Sequence, residues 1–195
     1  TGDKYLRKRP MKRIIVPLEM MGAKIWAREN NFPPISIKGG NLKGITYKLP
    51  VASAQVKSCI LLAGLFAEGV TKIIEPVKSR DHTERMLKFL EADIEIFETE
   101  IIVRGGKQIF GKDIFVPSDI SSASFFIACG VITKNSEILI KDVGVNPTRC
   151  GFLKVLKRMG ADIKILNERE LNNEPIADIL VKSSELKGVN IEGEE

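Results

Sequence analysis

Apolar residues recur along this chain at the three- and four-residue spacing of helices, between shorter runs that are rich in β-branched residues. The first pattern predicts helices, because residues three and four apart share one helix face. They cover about residues 11–22, 52–68, 81–91, 120–133 and 148–160. The second pattern predicts strands near 24–27, 35–38, 44–48, 70–75, 93–97, 100–104, 113–116, 136–141, 162–166, 178–182 and 187–191. Interleaving of the two kinds of element indicates an α/β fold with a mixed sheet.

The same landmarks return along the chain at a period of 69 residues. Ala23, Ala92 and Ala161 each follow a predicted helix and precede a predicted strand. Two glycine pairs, 39–40 and 105–106, also hold equivalent places and predict turns. Such a period is typical of a supersecondary unit that buries its core by stacking on copies of itself. Because the chain starts and stops inside a period, we expect it to be a piece of a longer protein.

Composition and charge narrow the classes of partner. The 195 residues include 30 Lys and Arg against 25 Asp and Glu, which gives a net charge of +5, and 44% are hydrophobic. This balance is ordinary for a globular protein, and its sign favours an anionic partner. No apolar run approaches the length of a membrane span, so we expect no membrane partner.

The three cysteines are odd in number and lack the paired spacing of a zinc site or a disulfide framework. Their pattern predicts no bound metal and a reducing, cytoplasmic location. Cys59 and Cys129 lie in apolar helical segments, where we expect them to pack as small buried hydrophobes rather than act as nucleophiles.

Candidate chemistry lies at the predicted helix starts, where arginine and small polar side chains recur. These residues are Arg9, Ser53, Gln55, Ser79 and Arg80. Unpaired N–H groups at a helix N-terminus attract anions, and the planar fork of arginine matches phosphate or carboxylate. On residue chemistry alone, the simpler interpretation is that the serines are helix caps and the arginines solvated surface charges.

Four further charged side chains carry weaker signals. Lys57 fits an exposed face of the second predicted helix and has no assigned role. Asp81 and Glu84 have the spacing of a capping pair at the start of the third predicted helix. Arg149 lies one period beyond Arg80, which makes it either an equivalent anion ligand or a relic of the repeat.

Several segments, in order along the chain, resemble the 5-enolpyruvylshikimate-3-phosphate synthase family. The most specific are LPVASAQVKS at residues 49–58 and SRDHTERML at 79–87. Three shorter segments agree with the same family: LRKRPM at 6–11, DISSASFF at 119–126 and NPTR at 146–149. Because these motifs are separate, ordered and spread over nearly the whole chain, the chain is identified as a member of that family.

The resemblance implies the inverse α/β barrel-type fold of the enolpyruvyl transferases, built from repeated βαβαββ units of about 69 residues. It implies that residues 1–116 are part of the shikimate-phosphate-binding domain and that 117–195 are part of the second domain. The complete enzyme is expected to be a monomer, whereas exposed sheet edges on a piece of it favour self-association.

The resemblance also implies an activity. The family transfers the carboxyvinyl group of phosphoenolpyruvate to the 5-hydroxyl of shikimate 3-phosphate and releases phosphate. The reaction belongs to the shikimate pathway, which leads through chorismate to the aromatic amino acids. It implies a transferase that needs no metal or organic cofactor, with these two substrates as the ligands.

Carried over position by position, the resemblance implies six substrate-binding residues. Arg9 corresponds to an arginine that clamps phosphoenolpyruvate, and Gln55 to a glutamine between the two substrates. The remaining residues correspond to positions that contact shikimate 3-phosphate, Ala54 through its backbone: Ser53, Ala54, Ser79 and Arg80. The family's catalytic groups have no counterpart among the matched positions, so we expect no catalytic residue here and no turnover by this chain alone.

Three alternatives stay open. The sister carboxyvinyltransferase that acts on UDP-N-acetylglucosamine shares the fold, but it usually carries a reactive cysteine where this chain has Lys4. RNA 3′-phosphate cyclases use related units, and such a protein predicts nucleic-acid binding that weakens steeply with salt. Aromatic residues are only 6% of the chain, so we expect no nucleic-acid partner. The third alternative is a repeat scaffold without a ligand.

Overall fold

A computed structural model of the chain describes residues 1–191. The chain divides into two compact units, Thr1–Gly111 and Lys112–Glu195. This division lies after Gly111, whereas the expected domain boundary lies after Val116. Within the described residues, no helix is both long and apolar enough to cross a bilayer.

Over its described residues, the first unit contains three helices and six strands. The helices are α1 (Lys12–Met20), α2 (Ala54–Gly64) and α3 (His82–Phe89), after a 3-10 turn at Leu6–Lys8. The strands are β1 (Lys24–Arg28), β2 (Phe32–Lys38), β3 (Thr46–Lys48), β4 (Val70–Ile74), β5 (Ile94–Ile96) and β6 (Glu100–Arg104). Strands β1 and β2 form an antiparallel pair. The other four form a sheet in the order β3–β4–β6–β5, in which β3 and β4 are parallel.

The second unit repeats much of this arrangement. Its described helices are α4 (Ile120–Ile132) and α5 (Gly151–Arg158), with a 3-10 turn at Pro147–Arg149 before α5. Its described strands are β7 (Glu137–Gly144), β8 (Asp162–Leu171) and β9 (Glu174–Lys182). They form an antiparallel sheet in the order β7–β9–β8.

The order of the elements confirms the repeat. The chain runs β3–α2–β4–α3–β5–β6, which is one complete βαβαββ unit. From α4 to β9 the same series returns without its first strand. A single parallel bridge between Ser118 and Val143 takes the place of the β3–β4 pair. Equivalent strands have the same order in both sheets, so a repeated sequence pattern produces a repeated topology.

The three alanines that mark the repeat make the same backbone contact. Each alanine N–H donates at 3.0 Å to the carbonyl of the leucine five residues earlier: Leu18, Leu87 and Leu156. The bond closes the end of α1, α3 or α5 directly after a residue of positive φ, as in a Schellman-type helix end. Glycine is favoured there and occurs at Gly22 and Gly160, while Glu91 adopts the same conformation in the middle repeat.

Each unit has its own hydrophobic core. In the first unit, α2 contacts α1, β4 and β6. Ile60 and Leu61 of α2 pack there with Ile73 of β4 and Val103 of β6. In the second unit, α4 contacts β7 and β9, and Ile127 lies at the centre of its buried side. The two most apolar helices of the sequence are therefore the ones around which the cores form.

Two predicted strands and one predicted burial are wrong. Residues 113–116 and 187–191 form no strand in the described chain, because β-branched residues need a neighbouring strand with which to form a ladder. Cys129 lies on the exposed side of α4, together with Phe125 and Phe126. The other predicted helices and strands are confirmed, with ends that differ by a few residues.

Candidate functional site

The N-terminal turn of α2 collects three of the predicted site residues. Ser53 is the N-cap, and its hydroxyl accepts a hydrogen bond from the Val56 N–H at 3.4 Å. The cap interpretation is therefore confirmed for Ser53. Ala54 is half-buried and Gln55 is exposed in the turn that follows. The start of the helix presents partial positive charge and backbone donors, which suits an anion.

Ser79 and Arg80 lie in the loop between β4 and α3. The Ser79 hydroxyl donates to Oε1 of Glu75, the residue that follows β4. Ser79 is half-buried, whereas Arg80 is exposed. Helix α3 begins at His82 with Asp81 as its N-cap, so the cap interpretation is wrong for Ser79.

A buried lysine links α2 to this loop and to α3. Lys57 is fully buried, and its Nζ lies 2.9 Å from Glu75 Oε2 and 2.5 Å from Glu84 Oε1. We call these three residues the buried Lys–Glu cluster. The hydroxyls of Ser58 and Thr83, 2.6 Å apart, form a second link between α2 and α3. The buried Lys–Glu cluster, rather than the Ser58–Thr83 contact, ties α2 to Glu75 and hence to the loop that carries Ser79 and Arg80.

The interpretation of Lys57 as an exposed lysine is wrong. It shares the buried stripe of α2 with Ile60, Leu61 and Gly64, at the i+3, i+4 and i+7 positions. This spacing is visible in the sequence and identifies Lys57 as a cation on an apolar face. Such a cation needs carboxylate partners, because burying an isolated charge is very costly.

The predicted Asp81–Glu84 capping pair is also wrong. Asp81 makes no side-chain cap hydrogen bond, and its carboxylate instead accepts from Nε of Arg85 at 3.0 Å. Glu84 is 2% exposed, and its Oε2 has no hydrogen-bond partner among the described residues. Burial raises the pKa of Glu84, although Lys57 opposes this shift. The Glu84 carboxyl is therefore easier to protonate than an ordinary surface carboxyl.

We expect the free energy of unfolding of Glu84→Gln to rise relative to that of the wild type as the pH increases. The Glu84 carboxyl has a higher pKa in the folded chain than in the unfolded chain. Its contribution to wild-type stability therefore falls as the pH rises from the ordinary carboxyl pKa through the raised one. Glutamine does not titrate. Urea unfolding of both proteins between about pH 4 and 8 measures the difference, and a difference that stays constant contradicts this expectation.

Arg9 stands apart from these residues. It follows the 3-10 turn and is exposed. Hydrogen bonds from the backbone N–H groups of Leu6 and Tyr5 lower the pKa of nearby Asp3, and Arg9 adds to this effect. The backbone N–H of Arg9 donates to the Leu6 carbonyl at 3.0 Å, within its own segment. The Ser79 hydroxyl contacts the buried Lys–Glu cluster through Glu75. Arg80 adjoins Ser79, and residues 53–55 lie at the start of α2, just before Lys57. Arg9 lies outside both segments.

In the second unit, the N-terminus of α4, which is equivalent to that of α2, carries a carboxylate. Asp119 is the N-cap of α4 and accepts from the Ser121 N–H at 3.1 Å. Arg149 donates to Asp119 at 3.1 Å and also to the Ser121 hydroxyl. The Ser121 N–H and, less strongly, Arg149 lower the pKa of Asp119. This internal pairing favours the interpretation of Arg149 as a relic of the repeat rather than a ligand-binding arginine.

The first unit presents groups whose chemistry suits an anion. It combines a capped helix N-terminus with the exposed guanidinium of Arg80 and a rigid, buried polar support. The cluster itself is closed to solvent, so its charged groups are not accessible to a ligand in solution. Among residues 1–191, no group of three or more His, Cys, Asp or Glu side chains is arranged to hold a metal ion.

Comparisons with known proteins agree over the whole chain. Residues 1–194 match the family model described as EPSP synthase (3-phosphoshikimate 1-carboxyvinyltransferase). The chain is 61% identical over 197 residues to the 3-phosphoshikimate 1-carboxyvinyltransferase of Petrotoga mobilis. It is 54% identical over 195 residues to that of Geotalea daltonii. Each alignment covers 100% of this chain and 46% of the relative, so the chain spans about half the length of the relatives that it matches.

A solved structure shows the same fold. The 2.37 Å structure of EPSP synthase from Acinetobacter baumannii matches with a TM-score of 0.87 at 52% sequence identity, over 98% of this chain and 44% of that one. The predicted α/β fold class, with its repeated βαβαββ units, is thereby confirmed. Since the family model matches nearly every residue and the fold agrees, the chain belongs to the EPSP synthase family.

Proposed function

We propose that the chain is part of a 3-phosphoshikimate 1-carboxyvinyltransferase that acts in the shikimate pathway in the cytoplasm. Membership of the EPSP synthase family is the observation that carries this proposal. In the reaction, the 5-hydroxyl of shikimate 3-phosphate adds to phosphoenolpyruvate, and elimination of phosphate then leaves the carboxyvinyl group on that oxygen. We propose that the reaction proceeds without a metal or organic cofactor.

In this proposal, residues 1–116 belong to the domain that binds shikimate 3-phosphate, and residues 117–195 belong to the second domain. The substrate phosphate lies at the N-terminal turn of α2. The hydrogen bonding of Ser53 supports its contact with the phosphate. Its hydroxyl accepts from the Val56 N–H, so its own proton is available to donate to a ligand. The backbone of Ala54 and the exposed side chain of Gln55 complete this part of the site.

The other proposed contacts come from arginines. Arg80, beside Ser79, offers a planar pair of donors to the shikimate phosphate. Arg9 clamps phosphoenolpyruvate, and its exposed position within a basic segment supports an anionic ligand there. Both proposed ligands are small and multiply charged, which suits the excess of positive charge without a nucleic-acid partner.

Isothermal titration calorimetry of the chain with shikimate 3-phosphate tests the proposal. We expect saturable one-to-one binding, which Ser53→Ala and Arg80→Ala each weaken by about tenfold, because hydrogen bonds to a phosphate are charge-assisted. Lys88→Ala is the control. It removes a positive charge from the last turn of α3, the helix that follows the loop of Arg80, and leaves that loop unchanged. Its affinity is expected to equal that of the wild type.

Two results contradict the proposal. One is the absence of saturable binding by a chain that circular dichroism shows to be folded. The other is binding to RNA ends that weakens steeply between about 50 and 200 mM salt while shikimate 3-phosphate does not bind. The second result favours the cyclase alternative.

A further inference from the structure

We propose that Ser79 is a positioning residue rather than a direct phosphate ligand: its hydroxyl latches onto Glu75 and thereby holds Arg80 at the anion-binding edge. The inference rests on the proposed function, because it assigns Arg80 to the shikimate phosphate. It replaces the direct contact that the family resemblance implies for Ser79.

Hydrogen-bond donors distinguish the two serines of the site. A serine hydroxyl has one proton to donate and two lone pairs with which to accept. Ser79 donates its proton to Glu75 Oε1, so it offers only lone pairs to a ligand. A phosphate oxygen is also an acceptor, and two acceptors do not attract each other. Ser53 differs, because it accepts from Val56 and keeps its proton available.

The hydrogen bond from Ser79 to Glu75 is difficult for a ligand to replace. Glu75 is 3% exposed, and its other carboxylate oxygen lies 2.9 Å from Lys57 Nζ. Its backbone N–H donates to the carbonyl of Thr99 at 2.8 Å, so the main chain is fixed as well. Drawing the Ser79 proton toward a phosphate leaves a buried carboxylate oxygen without its donor, which is energetically unfavourable.

Arg80 lies between two anchored neighbours. Ser79 is held by Glu75 on one side. Asp81 on the other side is 7% exposed and accepts from Nε of Arg85 at 3.0 Å. Fixing both neighbours restricts the main chain at Arg80 while its side chain stays exposed. Such pre-organisation lowers the entropy that the arginine loses when it orders on an anion.

A double-mutant cycle with Ser79→Ala and Arg80→Ala tests the latch, with shikimate 3-phosphate as the titrant. We expect Ser79→Ala alone to weaken binding by about tenfold, because Arg80 then loses more conformational freedom when it orders on the phosphate. The double variant is expected to bind no more weakly than Arg80→Ala, because nothing remains to be positioned. Ser79→Thr keeps the hydroxyl and is expected to retain wild-type affinity. Equal weakening by Ser79→Ala in both backgrounds overturns the proposal, since it indicates direct contact.

Ser58→Ala is the matched control. It also deletes a serine hydrogen bond, to Thr83, but it does not adjoin Arg80, so its affinity is expected to be unchanged. A second readout needs no ligand. Hydrogen–deuterium exchange at the backbone N–H of Glu75, which donates to the Thr99 carbonyl, is expected to accelerate in Ser79→Ala and not in Ser58→Ala.

The two readouts separate the latch from the proposed function. Unchanged exchange in Ser79→Ala overturns the latch, even where Arg80→Ala binds too weakly to titrate. Absence of binding by the wild-type chain overturns the proposed function, while accelerated exchange in Ser79→Ala still supports the latch.

Discussion

Replacing Lys57 by methionine is expected to destabilise the chain by about 3–5 kcal/mol, because removing one partner of a buried ion pair leaves uncompensated buried charge. The Lys57 side chain is 1% exposed and lies within 2.9 Å of two carboxylates, those of Glu75 and Glu84. Methionine has a similar length and is apolar, so the substitution removes the charge without opening a large cavity. Urea unfolding near neutral pH, followed by circular dichroism, measures the loss.

Lys72→Met is the matched control for this prediction. Lys72 pairs with Glu100 at 2.7 Å, but the two side chains are 32% and 39% exposed. An exposed pair of this kind contributes less than about 1 kcal/mol, so the control is expected to lose little stability. Equal losses in Lys57→Met and Lys72→Met would show that the buried Lys–Glu cluster does not stabilise the fold.

A compensating variant separates charge from packing. Adding Glu75→Gln and Glu84→Gln to Lys57→Met removes every charge of the cluster, and we expect it to recover most of the lost stability. Failure to recover would mean that shape, rather than charge, determines the cost. The same variant keeps α2 and α3 in contact through Ser58 and Thr83.

The repeat made most of the fold predictable from sequence. Local signals recur in it, such as the alanine after each helix end, and neighbouring residues carry such signals directly in the sequence. Residues 113–116 mark the limit. Their β-branched composition suits a strand, but a strand also requires a partner, and only a single bridge, at Ser118, forms nearby.

The candidate site was predictable only in part. Helix starts and motifs identified Ser53 and Arg80, because the relevant chemistry lies within a few neighbouring residues. The cluster beneath them was missed, since Lys57 and Glu75 are 18 residues apart and belong to different elements. A charge on an apolar stripe signals a buried partner, but it does not say which carboxylate the fold brings to it.

Gly105→Ala is expected to destabilise the chain by about 3 kcal/mol, at the upper end of the range for overpacking. A Cβ on Gly105 would lie 1.9 Å from the carbonyl oxygen of Ala67 and 2.8 Å from that of Gly64. Both oxygens belong to the main chain at the end of α2, which cannot yield as a flexible side chain does. The predicted turn is confirmed at Gly106, which has a positive φ. Gly105 is required for a different reason, because its main chain packs directly against the main chain at the end of α2.

Gly39 supplies the comparison that isolates this contact. It follows β2 as Gly105 follows β6, yet a Cβ added there meets nothing within 4 Å. Gly39→Ala is therefore expected to change the free energy of unfolding by less than about 0.5 kcal/mol, in the same urea titration. Equal effects of the two substitutions would mean that their common place in the repeat determines the cost. A large loss only at Gly105 would mean that the close approach of the end of β6 to the end of α2 determines the cost. Helix α2 is also the helix whose N-terminal turn forms the proposed phosphate site.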